Sequence, residues 1–188
     1  MEEKNGFLAE QEKQANKLAA QVMQITFLVF TIAYIMNLVG IFKVERGIMT
    51  LAYVAGSILL IVPSLLIMKF KIDSSYIKYL VILGAVSLVT LLSITLTYLV
   101  VVFYVYPIAI ASLYFSKKLN IITAVLTVTG VSIGQIAAFY LQTLSDDNFT
   151  ELHGVIVYGV VPRALILIAI AAIFTTLGKR TAAMLSNL

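Results

Sequence analysis

Cysteine and tryptophan are absent from this 188-residue chain, histidine occurs once and proline three times. Without cysteine there is no disulfide framework, iron–sulfur cluster, thiolate zinc site or catalytic thiol. A single histidine excludes the paired-histidine metal motifs, and His153, with no second imidazole to complete a site, reads as a solvated loop residue. Charge is scarce too: 12% of residues are charged and 61% hydrophobic, where soluble domains run near 25% and 45–50%. A water-soluble fold of this size cannot hide so much apolar surface, which excludes a soluble enzyme. The net charge of +4 would point to a polyanion only if the basic residues formed an exposed patch. They stand instead in ones and twos at the edges of apolar runs, so nucleic acid is excluded as a partner and the lipid bilayer takes its place.

The first 17 residues are charged and polar, and the apolar run behind them is too long for the core of a secretory signal. A hydrocarbon layer of roughly 30 Å needs about 20 helical residues, and the runs are apolar all round rather than alternating, which argues against barrel strands. The runs predict membrane helices over 19–41, 48–68, 76–92, 98–115, 120–142 and 154–177. The stretch 77–115 is about twice one crossing, so the chain turns back at its only polar cluster, Ser93 to Thr97. The expected fold class is all-α: a polytopic six-helix transmembrane bundle at 19–177, a cytoplasmic amphipathic lead-in at 1–18 and the start of a cytoplasmic helix at 178–188.

Basic residues favour the cytoplasmic side. One set of helix ends carries Lys4, Lys13, Lys17, Lys69, Lys71, Lys78, Lys117, Lys118, Lys179 and Arg180; the opposite set carries Lys43 and Arg46 alone. Ten against two puts both termini in the cytoplasm, and only an even number of crossings keeps this segregation. Asp146, Asp147 and Glu151 then fall in the longest outer loop. Tyr76, Tyr98, Tyr114 and Tyr140 are the expected interfacial anchors.

No Asp or Glu lies within the six spans, which argues against a proton-driven pump, since such proteins keep carboxylates at membrane depth. No cofactor or metal is called for. Arg163 lies roughly 13 Å into the last span, where an arginine is expensive at about 2.5–3.5 kcal/mol. Its candidate partners are Asp146, Asp147, Glu151, Glu45 or an anionic ligand, and the plainer reading is a guanidinium that snorkels to the outer surface. With Tyr158 it is expected to line an outward-facing pocket for a small ligand of unknown identity. Gln135 fits either that pocket or a hydrogen bond to a neighbouring helix. Pro107 and Pro162 are expected to kink or cap the fourth and sixth helices. Gly130 and Gly134 form a small-xxx-small pattern that serves packing within the bundle or a dimer seam. Beyond the last span, Phe174, Leu177, Thr181, Met184 and Leu188 alternate at spacings of three and four, a heptad seam suited to relaying a signal, although Gly178 weakens a continuous helix there. A chain ending on such a helix is expected to feed a cytoplasmic output.

Two stretches, 104–139 (YVYPIAIASLYFSKKLNIITAVLTVTGVSIGQIAAF) and 160–188 (VVPRALILIAIAAIFTTLGKRTAAMLSNL), resemble the six-helix N-terminal membrane region of clostridial methyl-accepting chemotaxis proteins. Related membrane inputs precede diguanylate cyclase or histidine kinase domains. The resemblance implies a sensory input module in a bacterial plasma membrane, a homodimer, and a cytoplasmic signalling domain or partner that the chain itself lacks. Enzyme activity is not expected, since no paired Ser/His or Ser/Lys constellation suggests an intramembrane hydrolase. The alternative is a small six-helix solute-binding component of a membrane transporter, which would require no further domain.

Overall fold

Long apolar runs can bury their backbone polar groups only by bonding them within the run, as a helix does. The computed structural model describes residues 2–42, 44–70, 76–143 and 149–185, and among them it is all helical with no strand. The order is α1 (Glu2–Leu38), α2 (Arg46–Met68), α3 (Ile77–Thr95), a 3₁₀ segment (Thr97–Val105), α4 (Tyr106–Ser112), α5 (Lys117–Tyr140), α6 (Leu152–Gly154), a π-helical segment (Val155–Val160) and α7 (Val161–Leu185). Five stretches are long and apolar enough to cross a membrane: Glu10–Leu38, Arg46–Met68, Ile77–Thr95, Lys117–Tyr140 and Leu152–Thr181. A shorter apolar helix covers Leu99–Ser112.

The helices pack in chain order, α1 on α2, α2 on α3, α3 on α5 and α5 on α7, while the 97–112 segment fills the cleft among α3, α5 and α7. On the α1–α2 seam the Tyr34 and Tyr53 rings stack at 4.3 Å and 4°, and the Tyr53 hydroxyl meets Thr31 Oγ1 at 3.1 Å. Pro63, inside α2, cannot donate to the Leu59 carbonyl one turn back. Gly84 of α3 comes up against that carbonyl: a Cβ there would stand 3.1 Å from it. Gly130 and Gly134 of α5 face Thr90 and Ser93 of α3 in the same way.

The expected fourth helix over 98–115 takes another form. Thr97 adopts the left-handed conformation, φ 46°, and so ends α3 where a glycine would normally stand. From Thr97 the nine residues to Val105 wind as a 3₁₀ helix interrupted at Val100 (φ −119°, ψ 20°). Its four valines, Val100, Val101, Val102 and Val105, crowd an α-helical turn, and the Tyr104 hydroxyl donates to the Thr97 carbonyl at 2.6 Å, binding the segment to its own start. A 3₁₀ helix rises about 2.0 Å per residue against 1.5 Å. The short run 97–112 therefore reaches about 28 Å, the length of α3, with fewer residues. Pro107 falls in the first turn of α4, where its missing N–H is harmless, rather than at a kink.

Ends of helices close with little glycine. At α1 the Gly40 N–H bonds the Asn37 carbonyl and Ile41 N–H the Met36 carbonyl, with Gly40 at φ 82°. Gln142 (φ 55°) plays the same part at α5, its N–H on Phe139 and that of Thr143 on Ala138. The Thr143 hydroxyl also donates to Ile94 at 2.6 Å, joining the ends of α5 and α3. At the opposite end of the bundle Lys78 and Glu12 pair at 2.8 Å and the Tyr114 hydroxyl donates to Asn16 Oδ1 at 2.9 Å. Tyr114 therefore turns into the protein, unlike the expected interfacial anchor, while Tyr76 and Tyr140 are exposed. α1 runs unbroken through the boundary at residue 18, and α7 likewise through Gly178, which is buried against Asn120 and Phe115.

Candidate functional site

Around the entrance to α7 the chain assembles a polar cluster inside an otherwise apolar bundle. The π-helical segment Val155–Val160 widens the helix just before Pro162, a feature that recurs at functional sites. Val155 and Gly159 point inward from it and are buried. Gly159 is pressed between two side chains: a Cβ there would lie 3.1 Å from Arg163 Nη1 and 3.1 Å from Gln135 Oε1. The absence of a side chain at 159 is thus what lets the guanidinium of α7 and the amide of α5 share one space. Thr97 and Phe149 close the cluster, leaving a void of about 10 Å³, about the room needed for one water. Tyr104 borders the same region, its phenol within the field of Arg163 and its hydroxyl engaged by Thr97.

Gln135 is the unusual member. It is only 2% exposed, and neither its Oε1 nor its Nε2 makes a hydrogen bond of good geometry, although the Tyr104 phenol lies within its reach. A buried amide without partners is destabilising by about 1–3 kcal/mol, so the site holds unspent hydrogen-bonding capacity. Arg163 is half-buried beside it. The cluster contains, among the described residues, a guanidinium, an amide, a phenol, the Thr97 hydroxyl and backbone carbonyls, but no carboxylate, imidazole or thiol. Among the described residues no group of three His, Cys, Asp or Glu side chains could hold a metal. Such a set can orient a water or a small polar group, or change its own pairing when α7 moves.

Arg163 and Gln135, expected as candidates from sequence, meet here. Tyr158 does not: it is 66% exposed and faces away from the cluster. Glu151 is exposed at the N-cap of α6 and makes no ion pair with Arg163. Asp146 and Asp147 lie outside the described residues. Thr97, Tyr104 and Gly159 were not anticipated; for Gly159 the signal was present, since 155, 159 and 163 share one helical face at spacings of four.

At the far end of α7, Phe174 is half-buried and packs on the cluster that includes Tyr104, Ile108 and Val131. Leu177 is 54% and Met184 69% exposed, Thr181 is exposed with its hydroxyl on the Leu177 carbonyl at 3.1 Å, and Leu188 lies outside the described residues. Gly130 and Gly134 are occupied by the α3 contact, with a Cβ at 134 standing 2.9 Å from the Thr90 carbonyl oxygen.

No protein-family model matches the chain, and no curated protein or solved structure matches it either.

Proposed function

We propose that this chain is a sensory input module of the chemoreceptor type, embedded in a bacterial plasma membrane with six crossings and both tails in the cytoplasm. The shorter 97–112 segment, fourth in chain order, completes the six. The observation that carries the reading is α7 itself: one unbroken helix from Val161 to Leu185, about 37 Å long at 1.5 Å per residue. It has the Arg163–Gln135 cluster at one end and the exposed Leu177 and Met184 at the other. A stimulus that re-pairs Gln135 and Arg163 acts on the start of a rigid rod whose far end presents an unpartnered apolar seam. Such a stimulus works only through a difference in its interaction with two packings of α7. The proposal includes a homodimer joined through that seam to a cytoplasmic signalling partner, as the resemblance read in 104–139 and 160–188 implies.

The test uses the absence of cysteine. Single cysteines at Leu177, Thr181 and Met184 are oxidised in native membranes, and a fusion through Leu185 to a chemoreceptor signalling domain reports output. Crosslinking at 177 and 184 above that at neighbouring positions, together with an output changed by Gln135→Leu or Arg163→Gln, supports the reading. Even crosslinking at all positions with output unchanged in both variants overturns it. The alternative, a solute-binding component of a transporter, is favoured by one observation, an apolar cavity of about 460 Å³ between α1, α2, α3 and the 3₁₀ segment.

A further inference from the structure

That cavity lies apart from the Arg163 cluster, and its lining is nearly free of polarity. Of the described side chains around it only Thr26 carries a polar N or O atom, and the Thr26 hydroxyl already donates to the Val22 carbonyl at 2.8 Å. Leu60, Leu88 and Leu92 form a buried floor; Val29, Phe42 and Leu99, at the mouth, are exposed on the outer surface of the bundle. In a chain that spans a bilayer, exposed apolar residues at this depth face lipid, so the mouth opens sideways into hydrocarbon. Water does not fill a cavity without polar partners. A void about three times the 150 Å³ that takes up a benzene ring also forfeits the dispersion contacts of its whole lining.

We propose that the cavity binds a single hydrocarbon chain of roughly eighteen carbons, scaled from that benzene cavity, entering from the membrane with any polar head left at the mouth beside Phe42. Among the described residues no charged side chain lines the cavity, so none of them draws an ionised group inside. The chain comes either from an acyl tail of a bilayer phospholipid or from a free long-chain lipophile. The binding stands independently of the sensory reading: it requires no output, and loss of signalling leaves it untouched.

The chain has no tryptophan, so one introduced residue is a clean reporter. Phe103→Trp places it at the cavity, and Val102→Trp, at a position 89% exposed, serves as the lipid-facing reference. Each variant is reconstituted in phosphatidylcholine vesicles. One arm uses phospholipid with brominated acyl chains; the other uses plain phospholipid titrated with bromoundecanol. Saturable quenching of the Phe103→Trp protein by bromoundecanol identifies a free lipophile, and quenching by the brominated phospholipid alone identifies a bilayer tail; both support the proposal. Filling the space with Ala33→Phe, or narrowing the mouth with Val29→Phe should the first variant not fold, is expected to weaken half-saturation or quenching at Phe103→Trp at least about tenfold, about 1.4 kcal/mol. The same changes leave Val102→Trp unaffected. Quenching at Phe103→Trp that ignores both filling variants, or that is absent in both arms, overturns the proposal.

Discussion

Gln135 of α5 and Gly159 of the π-helical segment that leads into α7 stand face to face, a Cβ at 159 falling 3.1 Å from the amide oxygen. The contact makes residue 159 a sensitive position. Alanine there puts a methyl 3.1 Å from both Gln135 and Arg163, so these flexible side chains must yield by a few tenths of an ångström. The helical preference for alanine over glycine, about 1 kcal/mol, offsets that crowding. Gly159→Ala is therefore expected to change stability by less than about 1 kcal/mol, whereas Gly159→Leu should lower it by about 1–3 kcal/mol. Thermal unfolding in detergent checks the pair.

Gly134 is less forgiving. A Cβ at this position meets the Thr90 backbone oxygen at 2.9 Å and overlaps Ser93 Oγ. The backbone cannot swing aside, so Gly134→Ala should destabilise by about 1–3 kcal/mol. At Gly130 the nearest obstacle is only the Thr90 hydroxyl, and Thr90→Ala should rescue most of the loss in Gly130→Ala. Removing Ser93 Oγ with Ser93→Ala should rescue Gly134→Ala only in part. Denaturant titration of the four variants reads the difference.

The unpaired amide of Gln135 predicts a gain rather than a loss. Leucine has a similar volume and leaves nothing to satisfy, so Gln135→Leu should stabilise the protein by about 1 kcal/mol. The same holds for Asn120, whose Oδ1 and Nδ2 are also buried without partners. A fall in the unfolding midpoint for either variant would mean that the amide has a partner in solution.

Glu12 and Lys78 couple α1 to α3 at a partly exposed position. A double-mutant cycle with Glu12→Ala and Lys78→Ala should give a coupling of about 0.5 kcal/mol that fades in high salt. A coupling of zero at low salt would show that the lead-in turns of α1 detach from the bundle.

Topology can be read directly because every cysteine is an introduced one. Cysteines at Glu10 and Thr181 should react with an impermeant maleimide only after the cell is opened, and one at Glu151 should react in intact cells. Glu10 labelled from outside would contradict the cytoplasmic lead-in.

The long helices were legible because uninterrupted apolar runs leave few other structures open to a backbone. The 97–112 segment was not: hydropathy measures length in residues, and a change from 1.5 to 2.0 Å of rise per residue leaves no trace in it. Arg163 and Gln135 each stood out as polar residues in apolar surroundings, but their meeting depends on the π-helical segment and on Gly159. The π-helical winding shifts the register of side chains, and a shift of one residue separates the exposed Tyr158 from the buried Gly159. The Gly130–Gly134 pattern announced close approach without naming Thr90 and Ser93 as its partners, because no rule of spacing within one helix identifies a neighbour on another. The apolar cavity left no signal, since a lining leucine and a packed leucine are the same letter.

The overwound stretch between Thr97 and Val105 has two audiences: Val100 and Phe103 border the greasy chamber, while Thr97 and Tyr104 belong to the neighbourhood of Arg163. Letting its nine residues relax to α-helical pitch would shorten it by about 4–5 Å. With α3 fixed above and α4 wedged among three helices, that slack has to be taken up by a slide. The segment is in effect a wound spring between an oily compartment and a charged one, and whatever alters its winding from one side draws on the other.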